Sequence, residues 1–138
     1  MDWKECCKRR IVKGIQKDLE LIRSLIKTSE NKLESSEKLE ISEVTGSSKI
    51  SLMYDSLREL LEALSVKYRY KIYNHECYIP FLKEILNEIE KGEEFDELRK
   101  IRNNINYYGK EISIEEAKNV LRRIKNLRNS IFELIQKD

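Results

Sequence analysis

Ser113-Ile-Glu-Glu-Ala-Lys-Asn-Val-Leu-Arg-Arg-Ile-Lys-Asn-Leu-Arg-Asn-Ser-Ile-Phe-Glu-Leu-Ile135 decides the fold class of this chain. Its leading hydroxyl can accept from a free helix N–H, and Glu116 can return the bond from three residues on, as in a capping box. Behind this start Ala117, Val120, Leu121, Ile124, Leu127, Ile131, Leu134 and Ile135 recur at steps of mostly three and four, so they share one side of a helix. The spacing predicts a long amphipathic helix with one buried face.

The same period runs through the rest of the chain. Asp2 and Glu5 predict an N-terminal cap, followed by one long helix striped by Ile11, Ile15, Leu19, Ile22, Ile26 and Leu33 and widened by Leu21 and Leu25. Leu39, Ile41 and Val44 extend the stripe toward a stop at Thr45-Gly-Ser-Ser48. A second helix carries Ile50, Met53, Tyr54, Leu57, Leu60, Leu61 and Leu64 and fades near Lys67-Tyr-Arg-Tyr-Lys71. A third opens at Asn74-His75, accepts Pro80 near its start and stops at Gly92; a short fourth covers roughly 94–106. No segment alternates with the period of an exposed strand, and short connections make neighbouring helices antiparallel. The expected fold is all-α: an antiparallel bundle of about five helices forming a single domain over residues 1–138.

Composition agrees. Four Gly and one Pro in 138 residues leave few tight turns, while 38% charged and 40% hydrophobic residues suit amphipathic helices. No apolar run reaches membrane-spanning length and the first residues lack an apolar signal stretch, which predicts a cytoplasmic protein with no membrane partner. Cys6, Cys7 and Cys77 are odd in number and have no spaced Cys/His partner set, so buried or idle thiols are expected, with neither a disulfide framework nor a metal site. There is no Gly-rich phosphate loop, no pair of catalytic carboxylates and no Ser/His/Asp arrangement, and no cofactor is expected.

The net charge of +2 is unevenly spread. Residues 1–28 carry +4, 65–75 carry +3 and 99–138 carry +5, against −4 over 29–64 and −6 over 76–98. Such a pattern can guide RNA or an acidic partner to part of the surface, although ion pairs along solvated helix faces are the simpler account of it. Tyr68, Tyr70 and Tyr73 interleave with Lys67, Arg69 and Lys71, either as a stacking and phosphate patch or as a helix end packed on the bundle. Arg122-Arg-Ile-Lys-Asn-Leu-Arg128 reads as the solvent face of the last helix. His75, the only histidine, reads as a cap residue bonded to nearby backbone.

One segment is too polar for a plain core helix: Arg99-Lys-Ile-Arg-Asn-Asn-Ile-Asn-Tyr-Tyr-Gly109. Arg102 and Asn106 are four apart and therefore neighbours on the helix surface, and a stop at Gly109 would let the Tyr107-Tyr108 pair turn back toward Arg102. A guanidinium, amides and a phenol so placed can hold a phosphate and stack on a base without a metal. The structural alternative is that Arg102 bonds an acidic residue of the facing helix.

An Arg-Asn pair near the end of a penultimate helix, followed by one last amphipathic helix, resembles the HEPN family of small helical bundles. The stretch Tyr73-Asn-His-Glu-Cys-Tyr-Ile-Pro-Phe-Leu82 is similar to that family's link between its second and third helices. Many members are metal-independent ribonucleases, some of them toxins paired with a small nucleotidyltransferase antitoxin, and they form dimers whose signatures share a cleft. The resemblance implies Arg102, Asn103 and Tyr107 as the catalytic set, with Arg99, Arg102, Asn106 and Tyr108 binding RNA or nucleotide. Tyr107 stands where the signature has His. A phenol stays protonated near neutral pH and is a poor base, so the resemblance implies binding with weak or no ribonuclease activity. The alternative function is a helical protein-interaction or dimerisation module with no nucleic-acid role.

Overall fold

The computed structural model describes residues 1–108 and 111–138, leaving aside the side chains of Tyr107 and Tyr108. The expected stop at Gly109 lies outside the described residues. The chain is a predominantly α-helical bundle carrying one two-stranded sheet: α1 (Trp3–Lys8), β1 (Val12–Gly14), α2 (Leu19–Lys38), α3 (Gly46–Lys67), β2 (Tyr70–Ile72), α4 (Tyr78–Pro80), α5 (Ile89–Tyr108) and α6 (Ile114–Gln136).

Helix α3 is the centre. Ile50, Leu57, Leu60, Leu61, Ala63, Leu64 and Val66 are all fully buried, so the helix is apolar around most of its circumference and must be covered on several sides. Its small polar residues let neighbours come close. Ser29 of α2 donates to the Ser56 carbonyl at 2.6 Å, Ser56 donates back to the Ser29 carbonyl at 2.8 Å, and the two hydroxyls lie 3.0 Å apart. Arg128 of α6 completes the knot, its Nε donating to Ser56 Oγ at 2.6 Å and an Nη to Ser29 Oγ at 3.2 Å. Three helices are thus joined through buried polar groups, each of which has a partner.

Helix α6 forms over the span that its capping box predicts, with Ser113 Oγ accepting from Glu116 N at 3.1 Å. The N-terminal cap is also present: Asp2 Oδ1 accepts from Glu5 N at 2.8 Å. The single long first helix is not. Arg10 turns into the left-handed region at φ 59°, with Arg10 N bonding Cys7 O and Ile11 N bonding Cys6 O, both at 3.0 Å, a Schellman ending. Val12 then pairs with Ile72 in an antiparallel ladder, and a new helix starts at the Asp18 cap. Ile11 and Ile15 satisfy helical spacing but sit beside this ladder, because pairing with a distant strand overrides a local period. Helix α2 ends at Lys38, short of Thr45, where the buried Lys49 donates to the carbonyls of Ser36 and Leu39.

The third and fourth helices also differ from expectation. Pro80 cannot donate a backbone bond, and the chain continues through a wide π turn over Phe81–Ile85, closed by Leu86 N to Phe81 O at 3.1 Å. Asn87, at φ 55°, ends it. Gly92 is no stop; it lies inside α5, where a Cβ would meet Lys83 Cγ at 2.7 Å and the Ile79 carbonyl at 3.2 Å. The glycine permits close approach of the π turn.

Cys6 and Cys77 form a disulfide, and Cys7 is an exposed free thiol. This corrects the expectation of idle thiols: 71 residues separate the pair, and spacing cannot reveal a contact made only by folding. The basic run on α6 is not a simple solvent face either, since Arg123 bonds Glu94 and Glu97 of α5 and Arg128 is buried. Lys67 donates to the Leu134 and Ile135 carbonyls at 3.0 Å, satisfying the end of α6. Among the described residues, no helix is long and apolar enough to cross a membrane. Cys77→Ser should lower stability by about 2–4 kcal/mol in urea unfolding, and reduction of the wild type should reproduce that loss; identical midpoints for oxidised and reduced protein would show that the bond adds no stability.

Candidate functional site

Helix α5 directs Arg99, Arg102 and Asn103 toward the turn at residues 73–76. Together with Tyr73, Asn74, His75 and Glu76 they line an open cavity of about 290 Å³. The turn owes its shape to Asn74, whose side chain caps a 3₁₀ helix over His75–Cys77 by accepting from Glu76 N at 2.9 Å. The disulfide at Cys77 then ties the far end of that turn to α1.

Behind His75 and Arg102 lies Tyr54 of α3, which is fully buried. Its hydroxyl lies 3.2 Å from His75 Nδ1, its ring stacks on Phe95 of α5 at 5.9 Å between centroids, and the Arg102 guanidinium sits 5.1 Å from the ring centroid. A cation over a tyrosine face is held by the ring's quadrupole, which sets Arg102 against the Tyr54 ring. Arg102 also approaches Asp55 at 3.9 Å, Arg99 pairs with Asp96 at 3.0 Å, and Arg58 faces Glu62 at 3.5 Å. Arg99 Nε is buried and has no hydrogen-bond partner among the described residues.

Burial holds the Tyr54 phenol above its ordinary range despite the pull of Arg102, Arg99 and Arg58. Burial first, then the charges of Arg58, Arg102 and Arg99, lowers the His75 imidazole to about 4. At neutral pH both groups are uncharged. The neutral imidazole shares one hydrogen bond with Tyr54 through Nδ1, and its tautomer sets the direction: with Tyr54 as donor the imidazole proton sits on Nε2. Guanidinium and amide groups are the donors available at this cavity, joined by an imidazole N–H in that tautomer. Glu76 is the carboxylate on its wall.

The structure gathers three of the sequence candidates, Arg99, Arg102 and Asn103. Asn106 points elsewhere, its Oδ1 accepting from Ser51 Oγ of α3 at 3.1 Å. The side chains of Tyr107 and Tyr108 lie outside the described residues. His75 was expected to bond nearby backbone and instead bonds Tyr54 and lines the cavity. Tyr54 and Arg58 were not singled out for the site, because Tyr54 continues the apolar stripe of α3 and Arg58 carries no motif. The basic run on α6 is engaged at Glu94, Glu97, Glu37 and the buried serines, away from this cavity. Among the described residues no cluster of His, Cys, Asp or Glu could hold a metal.

The depressed His75 has a consequence for stability. Its folded value of about 4 lies below the 6.5 of an exposed imidazole, so the unfolded chain takes the proton first as pH falls. The contribution is complete above that upper value and disappears toward the lower one. Urea midpoints at about pH 7 and about pH 4.5 should show a larger acid loss for wild type than for His75→Gln, since carboxylate effects are common to both; equal acid losses would refute a buried neutral imidazole. No family model, curated protein or solved structure matches this chain, and the case for a function is made by this site's own residues.

Proposed function

We propose that this is an HEPN-like protein that binds phosphate groups of RNA or of a nucleotide in the cavity between α5 and the His75 turn. The observation that carries this reading is the convergence of Arg99, Arg102 and Asn103 with His75 around one open cavity. Guanidinium groups fit phosphoryl oxygens in geometry and charge, and the exposed Tyr73 ring at the rim offers a surface on which a base can stack. Arg102 and Asn103 are two of the three signature positions that the HEPN resemblance singles out, and both line the cavity.

A homodimer, with a second copy of the signature across a shared cleft, belongs to this reading, as does a small nucleotidyltransferase antitoxin as partner. A cytoplasmic setting is part of it too; a disulfide is uncommon in that compartment, and burial of Cys6 and Cys77 slows attack on theirs. Cleavage would be weak or absent, because the phenol of Tyr107 replaces the imidazole of the signature. The rival reading, a protein-docking module, draws on the shallow groove between α5 and α6, lined in part by Ile101, Ile105, Ile112 and Val120.

Under the phosphate reading, a short single-stranded RNA binds with affinity that falls steeply with salt. Arg102→Ala should weaken it about 10–100-fold and reduce the slope of log affinity against log salt by about 0.7, the expected loss of one phosphate contact. Unchanged melting temperature would separate this effect from misfolding. Absence of wild-type binding at low salt, or equal binding by the variant, would overturn the proposal. For catalysis, Tyr107→His should raise RNA cleavage in EDTA above wild type if the missing proton carrier is what limits it; cleavage equal in wild type and Arg102→Ala would mark contamination.

A further inference from the structure

His75 is held where its charge state matters. Helix α3 presents Tyr54, Asp55 and Arg58 to it, and α5 presents Arg99, Arg102 and the Asp96 that pairs with Arg99. Its own segment contributes Tyr73, Glu76 and the buried Tyr78, whose ring centroid lies 6.4 Å away. Lys71 of β2 is engaged with Glu62, which also faces Arg58. Every one of the three arginines has a carboxylate partner, yet burial first and the guanidinium charges next keep the imidazole neutral.

We propose that the cavity is a proton-coupled phosphate site, in which an anion seated against Arg99, Arg102 and Asn103 draws a proton onto His75. This rests on the phosphate reading above and adds a regulatory term to it. The balance is simple: one phosphoryl group enters, one proton is taken from solvent, and no covalent bond changes. An anion within about 4–6 Å of an imidazole reverses the local field and favours the imidazolium by about one to three pH units. The buried Arg99 Nε, which has no hydrogen-bond partner among the described residues, gains an acceptor in the same event. Tyr54 makes the change possible without rearrangement, since its hydroxyl can donate to a neutral Nδ1 or accept from a protonated one. A dianionic phosphate monoester exerts the stronger pull, and a phosphodiester the weaker one. By linkage, proton uptake by His75 tightens binding of a phosphodiester as the solution becomes more acidic, whereas a monoester also loses its own second charge at about pH 6.

Because the chain has one histidine, its imidazole signal is unambiguous in NMR. The test is a titration of that signal from about pH 3.5 to about 8 in chloride of matched ionic strength. Four samples are compared: free protein, protein with inorganic phosphate, with a 5′-mononucleotide, and with a short RNA lacking terminal phosphates. The free midpoint should lie near 4, and at least one phosphate ligand should raise it by about one pH unit or more. A rise with the RNA identifies backbone phosphate as the ligand. A rise with phosphate or mononucleotide alone identifies a free or terminal phosphate; either outcome supports the coupling.

Calorimetry in two buffers of different ionisation enthalpy gives an independent count. Wild type should take up a fraction of a proton per ligand beyond the ligand's own titration, and His75→Gln, measured at ligand concentrations that saturate it, should show no such excess at whatever affinity it retains. Arg99→Gln should raise the free midpoint only slightly, burial being the larger cause, and reduce its response to ligand. Ligand-induced changes in the Arg99 or Arg102 Nε signals with a fixed His75 midpoint would overturn the coupling and leave phosphate binding intact. No response of either arginine or His75 to any ligand would overturn both.

Discussion

The contact of Tyr54 with both His75 and Arg102 is the constraint on which the site depends. One buried phenol from the central helix fixes the 3₁₀ turn by its hydroxyl and the α5 arginine by its ring face. The stacked Phe95 holds that ring from the other helix, so neither α5 nor the turn can shift without disturbing the same side chain. A buried polar group of this kind is costly if left unmatched and specifying when matched. Here its match is an imidazole kept neutral by its surroundings.

Around this point the molecule uses two kinds of adhesive. The interior of α3 is apolar and non-directional, which secures burial but leaves helix rotation and register weakly defined. Direction comes from the knot of Ser29, Ser56 and Arg128, and from Glu59, which accepts from Thr28 at 2.6 Å and also pairs with Lys32. These contacts place α2 and α6 against α3 and thereby hold the opposite side of the bundle steady. The arginines of the cavity, by contrast, are paired at its wet edge, where carboxylates compete with solvent. Such pairs can be exchanged for a ligand's oxygens at modest cost.

Legibility in the sequence followed the range of the interactions. Helix α6 could be read because both its cap and its apolar face are local features, and Asp2 could be read for the same reason. The stripe through Ile11 and Ile15 misled because a step of four is compatible with a helix, whereas the left-handed Arg10 and the pairing of Val12 with Ile72 depend on the folded chain. Gly92 resembled a helix stop, yet its lack of a side chain serves packing against Lys83. Within the site, Arg102 and Asn103 were visible as polar residues on an amphipathic helix. The contribution of His75 was not, since it reaches α5 from another segment of the chain and through a tyrosine that looks like core.

The bridge from Cys6 to Cys77 also divides the molecule in terms of covalent connectivity. It closes a ring that contains β1, α2, α3 and β2, with α5 and α6 hanging from it as an open tail. A single proteolytic nick inside the ring, for example in the exposed connection at Val44, leaves every helix part of one covalent molecule. A nick at Asn87 leaves two fragments held only by packing. The imidazole and the arginines of the cavity fall on opposite sides of that second cut, so separating the fragments would take the two halves of the site apart.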